Sequence, residues 1–162
     1  MHRNMKLKLT IFILSIFAIL SKTSSAQFNL NNLTNTATNA TTKKLNYGTA
    51  LTNFFGFINP SSFNDNWKNS KTTWLSNVAK AKDVATYSKL LGDMVGNLKS
   101  SAFKPSWANE KTGWSNKLKS AKTITDLIGL TSKLENNLNP SAYTKSFASQ
   151  KPLFDNALRM IK

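Results

Sequence analysis

Two sets of residues in this chain have types and spacing that could do chemistry, an aromatic stripe and a repeated lysine. Aromatic rings can stack on sugars or nucleic-acid bases, and regularly placed lysines can hold a polyanion. The lysines are Lys71, Lys111 and Lys151. The aromatic residues are Phe63, Trp67, Trp74, Phe103, Trp107, Trp114, Tyr143, Phe147 and Phe154.

Each set also has a purely structural interpretation. A stripe of aromatic rings at helical spacing is what a stacked helical core requires, since such side chains dominate core energetics. We therefore expect the stripe to serve core packing before ligand binding. A repeated lysine can cover a tryptophan with its aliphatic stem and keep its ammonium group in water. The three lysines are therefore a candidate polyanion site, and the alternative is that each one covers a tryptophan and has no binding role.

Catalytic and metal-binding residue types are scarce. The chain has no cysteine, and its one histidine is His2. The seven carboxylates do not recur as pairs suited to general acid–base work, and no phosphate loop, nucleophile elbow or metal-ligand spacing is present. We expect a protein that is not an enzyme and that has no cofactor and no metal; an enzyme of unknown class is a distant alternative.

The aromatic residues and the lysines belong to an internal repeat, since the sequence matches itself when it is shifted by 40 positions. Phe63, Phe103 and Tyr143 align, as do the lysines and the tryptophan or phenylalanine positions on either side of them. The spacing predicts three tandem units, at about 45–82, 83–122 and 123–162. Each unit is predicted to be an αα-hairpin.

Helical periodicity supports this organisation. In the first half of the first unit, Tyr47, Ala50, Leu51, Phe54 and Ile58 recur at steps of one, three and four residues, which defines one face of a helix. We predict an all-α fold of six helices joined by short connections, arranged as a short solenoid or a compact antiparallel bundle.

Three residues are expected to shape the helix ends or interiors. Asp83 and Thr123 are placed to cap the first helix of the second and third units. Pro152 falls inside the last helix, where a proline removes a backbone hydrogen bond, so we expect a kink or a split near Lys151.

The N-terminal region has a different character. Residues 1–26 combine basic residues, an apolar run from Leu9 to Leu20 and small residues before Gln27, which is typical of a secretory signal peptide. Residues 27–44 are rich in Asn and Thr and predict a disordered linker. The protein is therefore expected to be exported, to the periplasm or the cell exterior.

Charge gives the remaining indication of function. The chain has 22 basic and 7 acidic residues, a net charge of +15. Removal of residues 1–26 would take away four of the basic residues and leave a strongly basic protein. The leading hypothesis is a non-catalytic helical-repeat protein with a binding or structural role and an unknown partner. The alternative is a cationic protein that binds an anionic membrane surface, an acidic glycan or nucleic acid.

Overall fold

The computed structural model of the protein describes residues 46–161, and the predicted signal peptide and linker lie outside these residues. The described residues form six α-helices and no strand, which confirms the all-α prediction. Three 3₁₀ helices connect α1 to α2, α3 to α4 and α5 to α6, and they span Pro60–Ser62, Ser100–Ala102 and Pro140–Ala142. The α-helices are α1 (Tyr47–Phe57), α2 (Trp67–Lys80), α3 (Val84–Gly96), α4 (Trp107–Lys119), α5 (Ile124–Asn137) and α6 (Phe147–Met160).

The odd-numbered helices begin at side-chain caps. The carboxylate of Asp83 accepts a hydrogen bond from the backbone N–H of Thr86 at 2.8 Å, and Asn46 caps α1 in the same way. Thr123 and Asp126 form a reciprocal capping box at the start of α5. The predicted caps at Asp83 and Thr123 are therefore confirmed.

The six helices pack as a closed ring with the odd-numbered helices inside. Each even-numbered helix contacts the odd-numbered helix on either side of it, and the ring closes because α6 contacts α1 as well as α5. At the centre, the ring of Tyr47 meets that of Tyr87 edge-on at 5.3 Å. The hydroxyl of Tyr47 lies 2.8 Å from that of Thr131 on α5, which itself donates to the Leu127 carbonyl. Burial raises the pKa of Tyr47, so this central tyrosine stays protonated.

Backbone hydrogen bonds link the connection within each helix pair to a neighbouring helix pair. Equivalent bonds occur at positions 40 residues apart. One set of amide-to-carbonyl bonds measures 2.8–2.9 Å and runs from Asn64 to Asn97, from Lys104 to Asn137 and from Thr144 to Phe57. A second set measures 2.7–2.9 Å and runs from Lys99 to Ser62, from Asn139 to Ala102 and from Asn59 to Ala142. The last bond of each set joins the C-terminal helix pair to the N-terminal one, so the same contact that links successive pairs also closes the ring.

Two tryptophans bridge neighbouring pairs. The indole N–H of Trp74 donates to the Leu90 carbonyl, and that of Trp114 donates to the Leu130 carbonyl, both at 2.9 Å. The position 40 residues after Trp114 is Phe154, which has no donor. It instead stacks on Phe54 of α1, with ring centroids 5.7 Å apart.

The last helix tests one prediction. α6 is continuous from Phe147 to Met160 and includes Pro152, so of the kink or split expected near Lys151, the split does not occur. Pro152 cannot donate to the carbonyl of Ala148, four residues earlier. Both residues are exposed, so water can satisfy that carbonyl and the helix can continue.

A pair of tryptophan substitutions tests the bridging hydrogen bond. Trp107 and Trp114 are both buried, but only Trp114 has a conventional hydrogen-bond acceptor for its indole N–H among the described residues. Trp→Phe removes the same volume at both positions, so we expect Trp114→Phe to cost about 1–2 kcal/mol more free energy of unfolding than Trp107→Phe. Urea denaturation measures the difference, and equal losses would show that the hydrogen bond to Leu130 adds no stability.

Candidate functional site

The aromatic stripe lies in the core of the ring. Seven of its nine residues are buried, and Phe103 and Tyr143 are half-buried. In each helix pair the aromatic residue before the even-numbered helix stacks on the first residue of that helix. The ring centroids are 5.2 Å apart for Phe63 and Trp67, 5.1 Å for Phe103 and Trp107, and 3.9 Å for Tyr143 and Phe147. The aromatic rings of the stripe therefore stack on one another within the core.

Two indole N–H groups in this stripe have no conventional acceptor among the described residues. They belong to Trp67 and Trp107, which are buried. Each indole is inclined to the next tryptophan of its helix at about 60°, with centroids 5.7 Å apart for Trp67 and Trp74 and 5.6 Å for Trp107 and Trp114. Inclined rings at this distance permit an N–H···π contact. Phe147 and Phe154 replace both tryptophans together in α6.

The three predicted lysines are distributed around the ring. Lys71 lies on α2, Lys111 on α4 and Lys151 on α6, and an odd-numbered helix separates each of these helices from the next. Lys71 and Lys151 are half-buried and Lys111 is exposed. The three ammonium groups thus lie on three different outer helices and do not share one helix face.

Lys151 is held by two carboxylates. Its ammonium group bonds Glu135 on α5 and lies 3.0 Å from Asp155 on its own helix. The Glu135 side chain is only 3% exposed, and burial raises its pKa although Lys151 opposes the change. Burial lowers the pKa of Lys151, but the hydrogen bonds to Glu135 and Asp155 outweigh this and raise it overall. Lys151 stays charged, and its charge is already compensated within the protein.

Two further lysines are paired with carboxylates. Lys133 lies 2.7 Å from Glu110, whose pKa is lowered by the hydrogen bond from Lys133. Lys68 lies 3.3 Å from Asp65 in an exposed pair. Both ion pairs reduce the positive charge on the sides of the ring and at the end of the protein where the three 3₁₀ helices lie.

The largest set of unpaired cations lies at the opposite end, where the even-numbered helices finish and α3 and α5 begin. All six of these side chains are exposed, and none has an ion-pair partner among residues 46–161. We call this set the basic end, and it consists of Lys80, Lys82, Lys117, Lys119, Lys122 and Arg159.

Two carboxylates share this end but are directed into helix caps. Asp83 accepts from the Thr86 backbone, and Asp126 accepts from the backbone of Lys122 and Thr123 at 2.9 Å. These hydrogen bonds lower the pKa of both aspartates. Both therefore stay ionised at neutral pH, and six cations against two anions leave the basic end positive.

A shallow depression of about 380 Å³ adjoins the basic end between α2 and α3. Its lining includes Lys80, Lys82 and Lys89 but also Asp83 and Asp93. Its lining therefore combines three cations with two anions.

Sequence reasoning did not select the basic end, although part of its signal was available. Lys82 and Lys122 are 40 residues apart, like Lys71 and Lys111. The other members come from three different helix ends, and only the ring places these ends on one side of the protein.

Two features, a cluster of metal-ligating side chains and a membrane-spanning helix, are absent from residues 46–161. Residues 46–161 contain no group of three His, Cys, Asp or Glu side chains placed to hold a metal ion. None of the helices described is long and apolar enough to cross a bilayer. Comparison with protein-family models, with curated proteins and with solved structures gave no match.

The buried ion network gives a test based on matched lysines. Lys151→Met leaves the Glu135 carboxylate buried without its main partner, and we expect a loss of about 1–3 kcal/mol in the free energy of unfolding. Lys111→Met, at the same place on α4, removes no ion pair and should change it by about 0.5 kcal/mol or less. Equal effects in chemical denaturation would contradict a structural role for this network.

The pH dependence follows from Glu135. Its pKa is raised in the fold above the ordinary value of 4.5, so the folded state favours the protonated acid. In Lys151→Met, the free energy of unfolding should therefore fall as pH rises from about 4.5 through the raised pKa of Glu135. Adding Glu135→Gln should abolish this fall, and a persistent fall would assign it to another group.

Proposed function

We propose that this chain is an exported, non-catalytic helical-repeat protein that binds anionic polymers or surfaces through its basic end. In this proposal it acts in the periplasm or outside the cell, and its folded part consists of three tandem copies of one 40-residue unit. The observation that carries the binding role is the set of six exposed, unpaired cations at one end of the helical ring.

The tandem organisation is supported by equivalent contacts at equivalent positions. The backbone bonds of Asn64, Lys104 and Thr144 occur 40 residues apart, and their acceptors are spaced in the same way once the ring closes. The bonds from Trp74 to Leu90 and from Trp114 to Leu130 follow the same interval. A common unit that contacts its successor would produce this pattern, since three units leave no unmatched end.

Charge at the basic end is only partly explained by stability. Lys80, Lys117, Lys119 and Arg159 lie in the last turns of their helices, where cations interact favourably with the helix dipole. Lys82 and Lys122 lie beyond those turns, directly before the caps of α3 and α5. There they lie near the positive N-terminal end of the following helix as well as the negative C-terminal end of the preceding one. Their placement is therefore better explained by contact with an anion than by helix stability.

A second candidate surface is the side of the ring that carries Lys71 and Lys111. These two lysines also have no ion-pair partner among the described residues and are also 40 residues apart. They lie on different outer helices, separated by α3, so a single polymer would have to pass around the ring to contact both.

The two surfaces can be separated with matched double variants. Lys82→Gln with Lys122→Gln and Lys71→Gln with Lys111→Gln each remove two charges and no ion pair. We propose to measure binding of short duplex DNA, used as a polyanion of known charge spacing, as a function of salt concentration. Loss of two phosphate contacts should reduce the slope of log K against log salt by about 2 in the first variant and leave it unchanged in the second.

Three results would contradict the proposal. Wild-type binding that does not depend on salt would exclude an electrostatic mode, and no binding at low salt would exclude a polyanion role. A reduced slope only in the Lys71 and Lys111 variant would move the site from the basic end to the side of the ring.

A further inference from the structure

The outer face of α6 differs from the outer faces of α2 and α4. Leu153 and Met160 are the large apolar side chains most exposed in residues 46–161, at 60% and 73%. They are seven residues apart, so they project within about 20° of each other. The positions 40 residues earlier hold Gly113 and Ser120, and those 80 residues earlier hold Thr73 and Lys80.

The surroundings of these two side chains are uncharged along the helix and cationic at its end. Ser149 and Asn156 lie on the same outer face of α6, since they fall within about 60° of Leu153. Arg159 is exposed next to Met160 and belongs to the basic end. The result is an apolar strip about 10 Å long that ends at a positive surface.

We propose that this strip docks the protein on an anionic lipid bilayer, with Leu153 and Met160 inserted among the lipids and the basic end against the headgroups. The inference rests on the proposed binding of anions by the basic end and names the source of the anions. Among the anionic partners, a bilayer supplies both negative headgroups and an apolar phase. A soluble polyanion would leave Leu153 and Met160 in water.

A second copy of the chain fits this surface less well. Two side chains supply far less than the roughly 800 Å² per partner that a stable interface needs. The described residues also carry 15 basic against 7 acidic side chains, so two copies repel each other. Charge complementarity thus favours the bilayer.

The test compares variants of the full chain, so that any contribution from residues outside the described part is common to all. Leu153→Ser with Met160→Ser removes the apolar strip at exposed positions. Thr73→Ser with Ala79→Ser is the matched control at exposed positions of α2. Binding is measured by co-sedimentation with phosphatidylcholine vesicles that contain about one third phosphatidylglycerol, and in parallel with short duplex DNA.

We expect Leu153→Ser with Met160→Ser to weaken vesicle binding about tenfold and to leave DNA binding unchanged, because the apolar contribution is lost and the charge is retained. The control should bind both probes like the wild type, and Leu153→Met with Met160→Leu should restore vesicle binding. Circular dichroism verifies that each variant keeps its helical content.

Two results overturn the inference and can be told apart. If the serine variant binds vesicles as tightly as the wild type, the strip is not a lipid anchor, while the salt-dependent DNA binding still supports the basic end. If Lys82→Gln with Lys122→Gln changes neither vesicle nor DNA binding, the proposed function itself fails.

Discussion

The packing of α6 on α1 is the interaction on which the rest of the structure depends. Phe154 stacks on Phe54 at 5.7 Å and meets Phe57 edge-on at 5.5 Å, and all three are almost completely buried. α3 packs one face against α2, and α5 packs the equivalent face against α4. Without α6, the equivalent face of α1 would be exposed to solvent. The backbone bonds from Thr144 to Phe57 and from Asn59 to Ala142 close the same seam.

Helix direction determines where charge accumulates. Successive helices are joined by short connections and run in opposite directions, so all three even-numbered helices finish at one end of the protein. Lysines that favour helix C-termini are thereby brought to a single side, where Lys82 and Lys122 add charge that the helix ends do not require. The basic end is therefore a consequence of topology, and two of its six cations come from the connections between helices.

Much of the local structure could be predicted from the sequence. The apolar periodicity gave the six helices, and the caps at Asp83 and Thr123 are where side-chain chemistry placed them. These features depend on residues a few positions apart. Closure depends on Phe54 and Phe154, which are 100 positions apart, and the periodicity alone left a solenoid and a bundle equally possible.

The candidate site was less predictable for the same reason. Lys151 shares its spacing with Lys71 and Lys111, but its role is decided by Glu135 on the neighbouring helix, where the earlier helix pairs have Phe55 and Val95. The 40-residue interval relates equivalent positions and does not show that Lys151 has a carboxylate partner on α5. It would have detected Lys82 and Lys122, but not that Arg159 lies at the same end.

Native-state hydrogen exchange tests the closed ring most directly. In a ring, α1 and α6 are not free ends, so the amides of Leu51 and Phe54 should open with free energies within about 1 kcal/mol of those of Leu91 and Met94 in α3. An open array would let its terminal helices fray independently of the centre. Exchange of the α1 and α6 amides through local openings several kcal/mol below those of α3 and α4 would contradict closure.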